Sequence, residues 1–356
     1  MRKLVVAFVI FLLILTIGCQ KQAKEETKKI KPVQAKEKIL PQGTILVGEI
    51  HPNATGTTIQ INNLRDTFTK IEYQIFRTAD GKQTSQSFIV ENPETNFSVT
   101  FNLASFEQKR GEYQIQAFGI HDNNKKVHLN HTTMTFPQTV PILMYHAIDD
   151  YQGVGLQDLF VTPSNFEAQI NYLKTNGYTL LTFEDWDKIN QVNNPIMITL
   201  DDGMKNNHNV LSIFQKLKDE QFTPKATIYM IADAINKEGF LSEEELKQMS
   251  DSGMISIQSH TSSHNELPQI TDYTYELQAS KEKIEQTTGK PVISLAYPIG
   301  RFNDQVVEET KKYYKFAVTT KNGKFQETGI RDEKLLIQRV RIHHSTTLEQ
   351  FPTLIQ

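Results

Sequence analysis

The stretch "PIMITLDDGMKNNH", residues 195–208, sets Asp201 and Asp202 side by side at the end of an apolar run, with Gly203 directly behind them. The run shows no polar alternation, which is how a strand reads when a parallel sheet covers both of its faces with helices. Adjacent side chains of a strand point to opposite faces. Two neighbouring acids therefore reach one pocket only if the strand ends there and the chain turns, which glycine permits. The segment predicts a strand whose C-terminal end carries ionisable groups.

Seven more runs of the same kind flank it: "PILMYH" (141–146), "YTLLT" (178–182), "KATIYMIA" (225–232), "ISIQSHT" (255–261), "VISLAYPIG" (292–300), "KFAVTT" (315–320) and "LLIQRVRI" (335–342). Between them, "SNFEAQINYLKTNG" (164–177), "NVLSIFQKLKDEQ" (209–221), "SEEELKQMSDSG" (242–253) and "TYELQASKEKIEQTTG" (274–289) have helical spacing. Ser164, Ser242 and Thr271 stand where helix N-caps belong, and Gly177, Gly253 and Gly289 where C-caps belong. Such alternation of strands and helices predicts an α/β fold, a distorted barrel of seven or eight β/α units over residues 138–356. Sites in such barrels form at the C-terminal ends of the strands.

That rule brings distant residues together. Asp201 and Asp202 end one strand, His260 ends another in "SHTSSH" (259–264), and His146 ends the first. His260 and His264, four residues apart, face one point if the segment turns after the strand. With one carboxylate they make a His-His-Asp set that leaves one coordination position open, the pattern of a catalytic zinc site. The motifs "TLDDG", "SHTSSH" and "AYPIG" resemble, in this order, those of the NodB-homology polysaccharide deacetylases, carbohydrate esterase family four, and "PILMYHAI" resembles the opening strand of their circularly permuted branch. The resemblance covers residues 140–345.

The resemblance implies Asp201 as general base, Asp202, His260 and His264 as ligands of a divalent metal, zinc first with cobalt or nickel able to substitute, and His146 as general acid. His343 and His344 in "RVRIHH" are the alternative acid. Tyr297, with its backbone N–H, and Pro298 are implied at the oxyanion or substrate position. Ala296 occupies the place where many relatives carry the arginine that orients the base, so Arg339 or Arg341 is expected to replace it. Leu200 stands where phenylalanine is usual, a packing change. His208 is read as a helix-face residue that could approach the metal, and Phe183 and Trp186 either as the floor of a sugar groove or as core.

Residues 43–137 have a different texture. Short alternating runs, "TILVGEI", "TTIQINNL", "KIEYQIFR", "QSFIV", "NFSVTFNL", "GEYQIQAFGI" and "HLNHTTMTF", are separated by turn signals and predict a small all-β sandwich. The stretch "RGEYQIQAFGIHDNNKK" (110–126) resembles the Bsp-like repeats of Gram-positive surface proteins. No cluster of acids, histidines or serines here suggests chemistry, which leaves a spacer or a carbohydrate-binding module.

At the start, "MRKLVVAFVIFLLILTIGCQ" joins a basic end to an apolar stretch too short for a comfortable membrane span. "TIGC" resembles a bacterial lipobox with Thr16 in place of leucine, implying a signal peptide over 1–19 and lipid attachment at Cys19; an uncleaved signal anchor is the other reading. Residues 20–42 are rich in Lys, Glu and Gln and read as a flexible charged linker. Cys19 is the only cysteine, so no internal disulfide can form. A formal net charge of −3 with no basic stripe argues against nucleic acid as a partner.

These readings converge on an expected N-deacetylase, anchored by lipid at the outer face of a Gram-positive cell membrane and acting on an N-acetylglucosamine polymer, peptidoglycan or poly-β-1,6-N-acetylglucosamine. The alternatives are an O-acetyl xylan or glycan esterase and an inactive wall-binding lipoprotein.

Overall fold

The computed structural model describes residues 42–356; the signal-like segment, Cys19 and nearly all of the charged linker lie outside the described residues. The alternating runs of the N-terminal part become β1 (Thr44–Val47), β2 (Gly56–Asn62), β3 (Lys70–Arg77), β4 (Gln86–Val90), β5 (Val99–Asn102), β6 (Gly111–Ile120) and β7 (Lys126–Phe136). They form two antiparallel sheets, β1-β2-β5 and β4-β3-β6-β7. Every second residue of β6 is buried, as its period of two requires. The inner faces meet in one core containing Ile59, Ile71, Tyr73, Ile115 and an aromatic group of Phe101, Phe106, Tyr113 and Phe136.

The C-terminal part is an α/β barrel. Its strands are β9 (Ile142–Tyr145), β12 (Thr179–Leu181), β13 (Pro195–Leu200), β14 (Ala226–Met230), β15 (Ile255–Ser259), β16 (Ser294–Ala296), β17 (Phe316–Asn322) and β19 (Ile337–Arg341). Two-residue strands complete the count: β8 (Thr139–Val140) pairs with β18 (Phe325–Gln326), and β10 (Ala147–Ile148) with β11 (Phe160–Val161). All eight long pairings are parallel, and the ring β9-β13-β14-β15-β16-β17-β19 closes on itself because β9 bonds to both β13 and β19. The eighth strand, β12, pairs only with the first half of β13.

The helices are α1 (Pro163–Thr175), α2 (His208–Leu217), α3 (Glu243–Asp251), α4 (Ser280–Thr288), α5 (Asp304–Thr310) and α6 (Phe351–Ile355). Ser242 caps α3 in a capping box with Glu245, and Gly289 ends α4 at φ 68°. Two caps differ from expectation. Thr162, not Ser164, accepts the Asn165 N–H at the start of α1, because Pro163 already occupies the first helical position. Thr271 caps nothing, since the chain enters α4 through a π-helical turn, Thr274–Ala279.

Strand parity divides the barrel core in two. Leu143, Tyr145, Ile198, Leu200 and Ile228 face the helices. Ile142, Met197, Tyr229, Phe316, Val318 and Ile337 pack instead with Phe183, Trp186 and Phe325 in a second cluster inside the ring. Phe183 and Trp186 are stacked at 6.0 Å and buried there, so they are core and not a sugar platform. At the end of the barrel where β13 begins, the sandwich docks through Arg77. Its guanidinium is buried and donates to Arg110 O (2.7 Å), Gln138 Oε1 (3.3 Å) and Val192 O (3.4 Å), and also to Asn193 Oδ1. Glu112 N donates to Asn190 O at 2.7 Å beside it.

Candidate active site

Above the apolar plug, the inside of the ring turns polar. Thr199 and Asp201, two residues apart on β13 and its extension, both face inward and both are buried. Asp201 N donates to Tyr145 O at 3.0 Å, so the ladder runs one residue past the strand. At Asp202 the backbone leaves it, with φ +75°, followed by Gly203 at +74°. A Cβ at position 203 would lie 2.1 Å from Met230 Sδ, so this turn requires glycine. The turn separates the two acids: Asp201 stays on the barrel axis, while Asp202 swings toward the end of β15.

Arg339, inward from β19 and fully buried, meets Asp201 in a two-pronged pair, Nη1 to Oδ1 and Nη2 to Oδ2, each 2.7 Å. Two of its other three N–H groups go to Thr319 O and Thr199 Oγ1, each 3.0 Å away. Burial pushes the Asp201 carboxyl up, but the Arg339 guanidinium outweighs it and holds the group well below the usual carboxylate range. Asp201 is thus an ionised, rigidly aimed acceptor. Of the two expected arginines, Arg339 takes this place. Arg341, two residues further up the strand, lies at the rim with Nη2 3.6 Å from Asp158 Oδ2.

Asp202 Oδ1 lies 3.5 Å from His260 Nε2 and 3.7 Å from His264 Nε2, too far for hydrogen bonds. His260 Nδ1 is 2.8 Å from Ala296 O, and a carbonyl only accepts, so Nδ1 carries the proton and the Nε2 lone pair faces Asp202. One donor atom from each of the three residues lies within 4.8 Å of the others. Ligands at about 2.0–2.1 Å from a tetrahedral zinc stand roughly 3.4 Å apart, so the spacing fits a divalent metal. The chemistry fits too. Burial pushes the Asp202 carboxyl up and pulls both imidazoles down, leaving neutral nitrogens beside a carboxylate with no arginine or lysine paired to it.

His146 stands on the other side of Asp201, its Nε2 4.0 Å from Oδ2, with Asn207 Nδ2 donating to its carbonyl at 2.6 Å. Burial lowers its pKa, while the Asp201 and Asp158 carboxylates oppose that shift. The two rival histidines are elsewhere: His343 Nδ1 is 2.9 Å from Asp158 Oδ2, and His344 Nδ1 is 2.8 Å from Phe160 O. Both tie down the 157–160 segment. Among the described residues, His146 alone of the histidines comes within 4.0 Å of the Asp201 carboxylate.

One part of the expected role of Tyr297, the backbone oxyanion donor, needs correction. Tyr297 N–H donates to Val318 O at 3.1 Å within the sheet, and its ring is buried against Phe302. Pro298 has no N–H to offer. Neither presents an oxyanion donor through the backbone. His208 is the first residue of α2 and does not join the three donors. Sequence reasoning missed Glu276, a buried residue of the π-helical turn whose carboxyl binds the loop carrying His264; its one signal was an acid on the buried side of a predicted helix.

Residues 188–315 match the family model for polysaccharide deacetylase. The chain is 55% identical to BA0330 from Bacillus anthracis and 54% identical to BC0361, a polysaccharide deacetylase from Bacillus cereus. Each alignment covers 88% of this chain and 100% of the other, with TM-scores of 0.87 and 0.86. The deacetylase PplD from Streptococcus pyogenes, solved with acetate, is 27% identical, with a TM-score of 0.56 over 62% of this chain and 99% of its own. Identity above one half across the whole length of such structures goes well beyond a shared barrel, and the chain belongs to the polysaccharide deacetylase family.

Proposed function

We propose that the protein hydrolyses the N-acetyl groups of N-acetylglucosamine residues in a cell-surface polymer, peptidoglycan or poly-β-1,6-N-acetylglucosamine, releasing acetate and leaving a cationic amine. The observation that carries this reading is the placing of Asp201. It is held ionised by Arg339 and flanked by the Asp202-His260-His264 donors on one side and His146 on the other.

Asp202, His260 and His264 would hold a divalent metal, zinc by their nitrogen-rich donor set with cobalt or nickel as substitutes, and bound there it would supply Lewis acidity to the acetyl carbonyl and a lowered pKa to water. Asp201 accepts the proton of the water that attacks the carbonyl carbon. His146 Nε2 delivers a proton to the amide nitrogen as the C–N bond breaks. An amide leaves poorly unless its nitrogen is protonated, so a proton donor opposite the base favours amide hydrolysis over ester hydrolysis. A buried arginine on the base also speaks against an inert wall-binding protein.

The second reading, removal of O-acetyl groups from xylan or a related glycan, uses the same base. Acetate release from N-acetylglucosamine oligomers, abolished by a chelator and restored by zinc, is the expected result. Release from acetylated xylan alone would replace the reading by the esterase one. The surface location rests on the "TIGC" sequence around Cys19; fatty-acid labelling lost in Cys19→Ser is its test.

A further inference from the structure

The loop that carries His264 holds an unusual backbone. Thr261 has φ +64° and His264 +62°, left-handed values that side-chain-bearing residues adopt only when their surroundings impose them. One side of the loop is fixed by β14 and its following segment: Ala232 N donates to Thr261 O at 3.0 Å and Asp233 N to Ser262 O at 2.9 Å. The other side is fixed by Glu276, which is 3% exposed. Its Oε2 accepts the backbone N–H groups of Ser262 (3.1 Å) and Ser263 (3.0 Å). Its Oε1 accepts the Ser263 hydroxyl, and Asn265 Nδ2 at 3.3 Å. Glu276 therefore grips the residues on both sides of His264 without lying among the three metal donors.

Glu276 sits in the π-helical turn Thr274–Ala279, a local widening frequent at functional positions. The turn is itself pinned at Tyr275, beside Glu276: Ser262 Oγ donates to Tyr275 O at 2.7 Å, and Tyr275 Oη donates to Asp233 Oδ2 at 2.6 Å. His260 needs no such help. It follows β15 directly, its N–H donates to Met230 O at 2.9 Å, and Ala296 O fixes its ring.

We propose that Glu276 is a positioning residue that sets metal affinity by holding the 261–265 loop in the strained form that aims His264 at Asp202 and His260. The proposal rests on the reading of those three residues as ligands. Without the carboxyl group the loop relaxes and the His264 ligand is withdrawn, while His260 and Asp202 stay in place.

The experiment measures Zn2+ affinity by competition with a chromophoric chelator, on metal-stripped full-length protein, for the parent, Glu276→Ala, His264→Ala and the double variant. Outer partners of metal ligands are typically worth about 10–100-fold in affinity, and a loss of that size is expected for Glu276→Ala in the parent. In the His264→Ala background, where the ligand is already gone, the same change is expected to alter affinity by less than about twofold, the non-additivity of two residues acting through one bond. Parent-like affinity in folded Glu276→Ala, or an equal loss in both backgrounds, overturns the proposal while leaving the ligand set intact. Unchanged affinity in His264→Ala overturns the ligand reading and the proposal with it. If the metal-free Glu276→Ala protein does not melt cooperatively, Glu276→Asp, which keeps the acid and withdraws its oxygens by one methylene, carries the same comparison.

Discussion

Replacing Arg339 by methionine, which keeps an unbranched apolar stem but neither the guanidinium nor its charge, leaves the Asp201 carboxylate buried without its arginine counter-charge and removes the donors of Thr319 O and Thr199 Oγ1. Breaking a buried pair from one side costs about 3–5 kcal/mol, because the surviving charge stays desolvated. At roughly 2–4 °C per kcal/mol for a domain of this size, melting is expected to fall by on the order of 10 °C. Adding Asp201→Asn removes the stranded charge, so the double variant is expected to recover most of the loss while remaining inactive. The pH dependence has a definite sign. In the parent, the depressed Asp201 pKa contributes stability that is present above the unfolded value of about 3.9 and is lost as pH falls through the folded value. In Arg339→Met burial, the largest single influence, is opposed only by the smaller effects of His260 and His146, and the folded pKa is expected to rise above the unfolded one. The deficit is then largest at neutral pH and shrinks as pH falls through that raised value, where the stranded carboxylate takes up a proton. Calorimetry of metal-free protein between pH 7 and pH 4 measures the variant's deficit and its decline; the parent keeps its Asp201 stabilisation throughout that window. A single variant within about 1 kcal/mol of the parent, or a double variant no more stable than the single, refutes the account.

The other variants separate roles that the geometry keeps apart. His146→Ala is expected to reduce kcat by about 10²-fold or more, and His343→Ala, whose ring is bonded to Asp158 at the rim, by far less; the reverse order in steady-state acetate release would move the acid to the β19 end. Arg77→Met removes the buried peg between sandwich and barrel, so it is expected to lower the melting temperature by several degrees with kcat unchanged, because the peg enters the barrel at the end opposite Asp201. A large fall in kcat with an unchanged melting curve would contradict that arrangement.

What could be read from the sequence, and what could not, follows from how each element is buried. The sandwich strands β3, β4 and β6 match their alternating runs residue for residue, since one face is wet and one dry. The barrel strands were equally visible as apolar runs, yet those runs carry no parity, because both faces are buried. "TLDDG" could therefore not say which acid faces the axis. Arg339 and Arg341 even share a strand face, so parity would not have chosen between them; depth in the barrel does, and depth is not written in a strand's own sequence. The helices α5 and α6 went unread because seven and five residues give too few turns for a period to show.

The Tyr297 correction and the Glu276 omission have a common cause. A motif names side chains, but the use of a backbone N–H depends on the neighbouring strand, and Val318 O had already taken the one at Tyr297. Glu276 is the converse case, a side chain whose partners include two backbone N–H groups of a loop 13 and 14 residues away. Metal ligands must converge on a point, so their identities and spacing leave a mark in the sequence. The group that bends the chain to make them converge needs only to be buried and within reach. Within this site, the strained φ at Asp202, Thr261 and His264 shows where the chain needs such support. At Asp202 the turn is secured by Gly203, which has no side chain to collide with Met230; at His264 it is secured by side chains, Thr261 Oγ1 accepting the His264 N–H and the Glu276 carboxyl accepting those of Ser262 and Ser263. The first device is fixed in the backbone, and the second can be lost by changing one side chain, which is why metal affinity is the property expected to respond to Glu276.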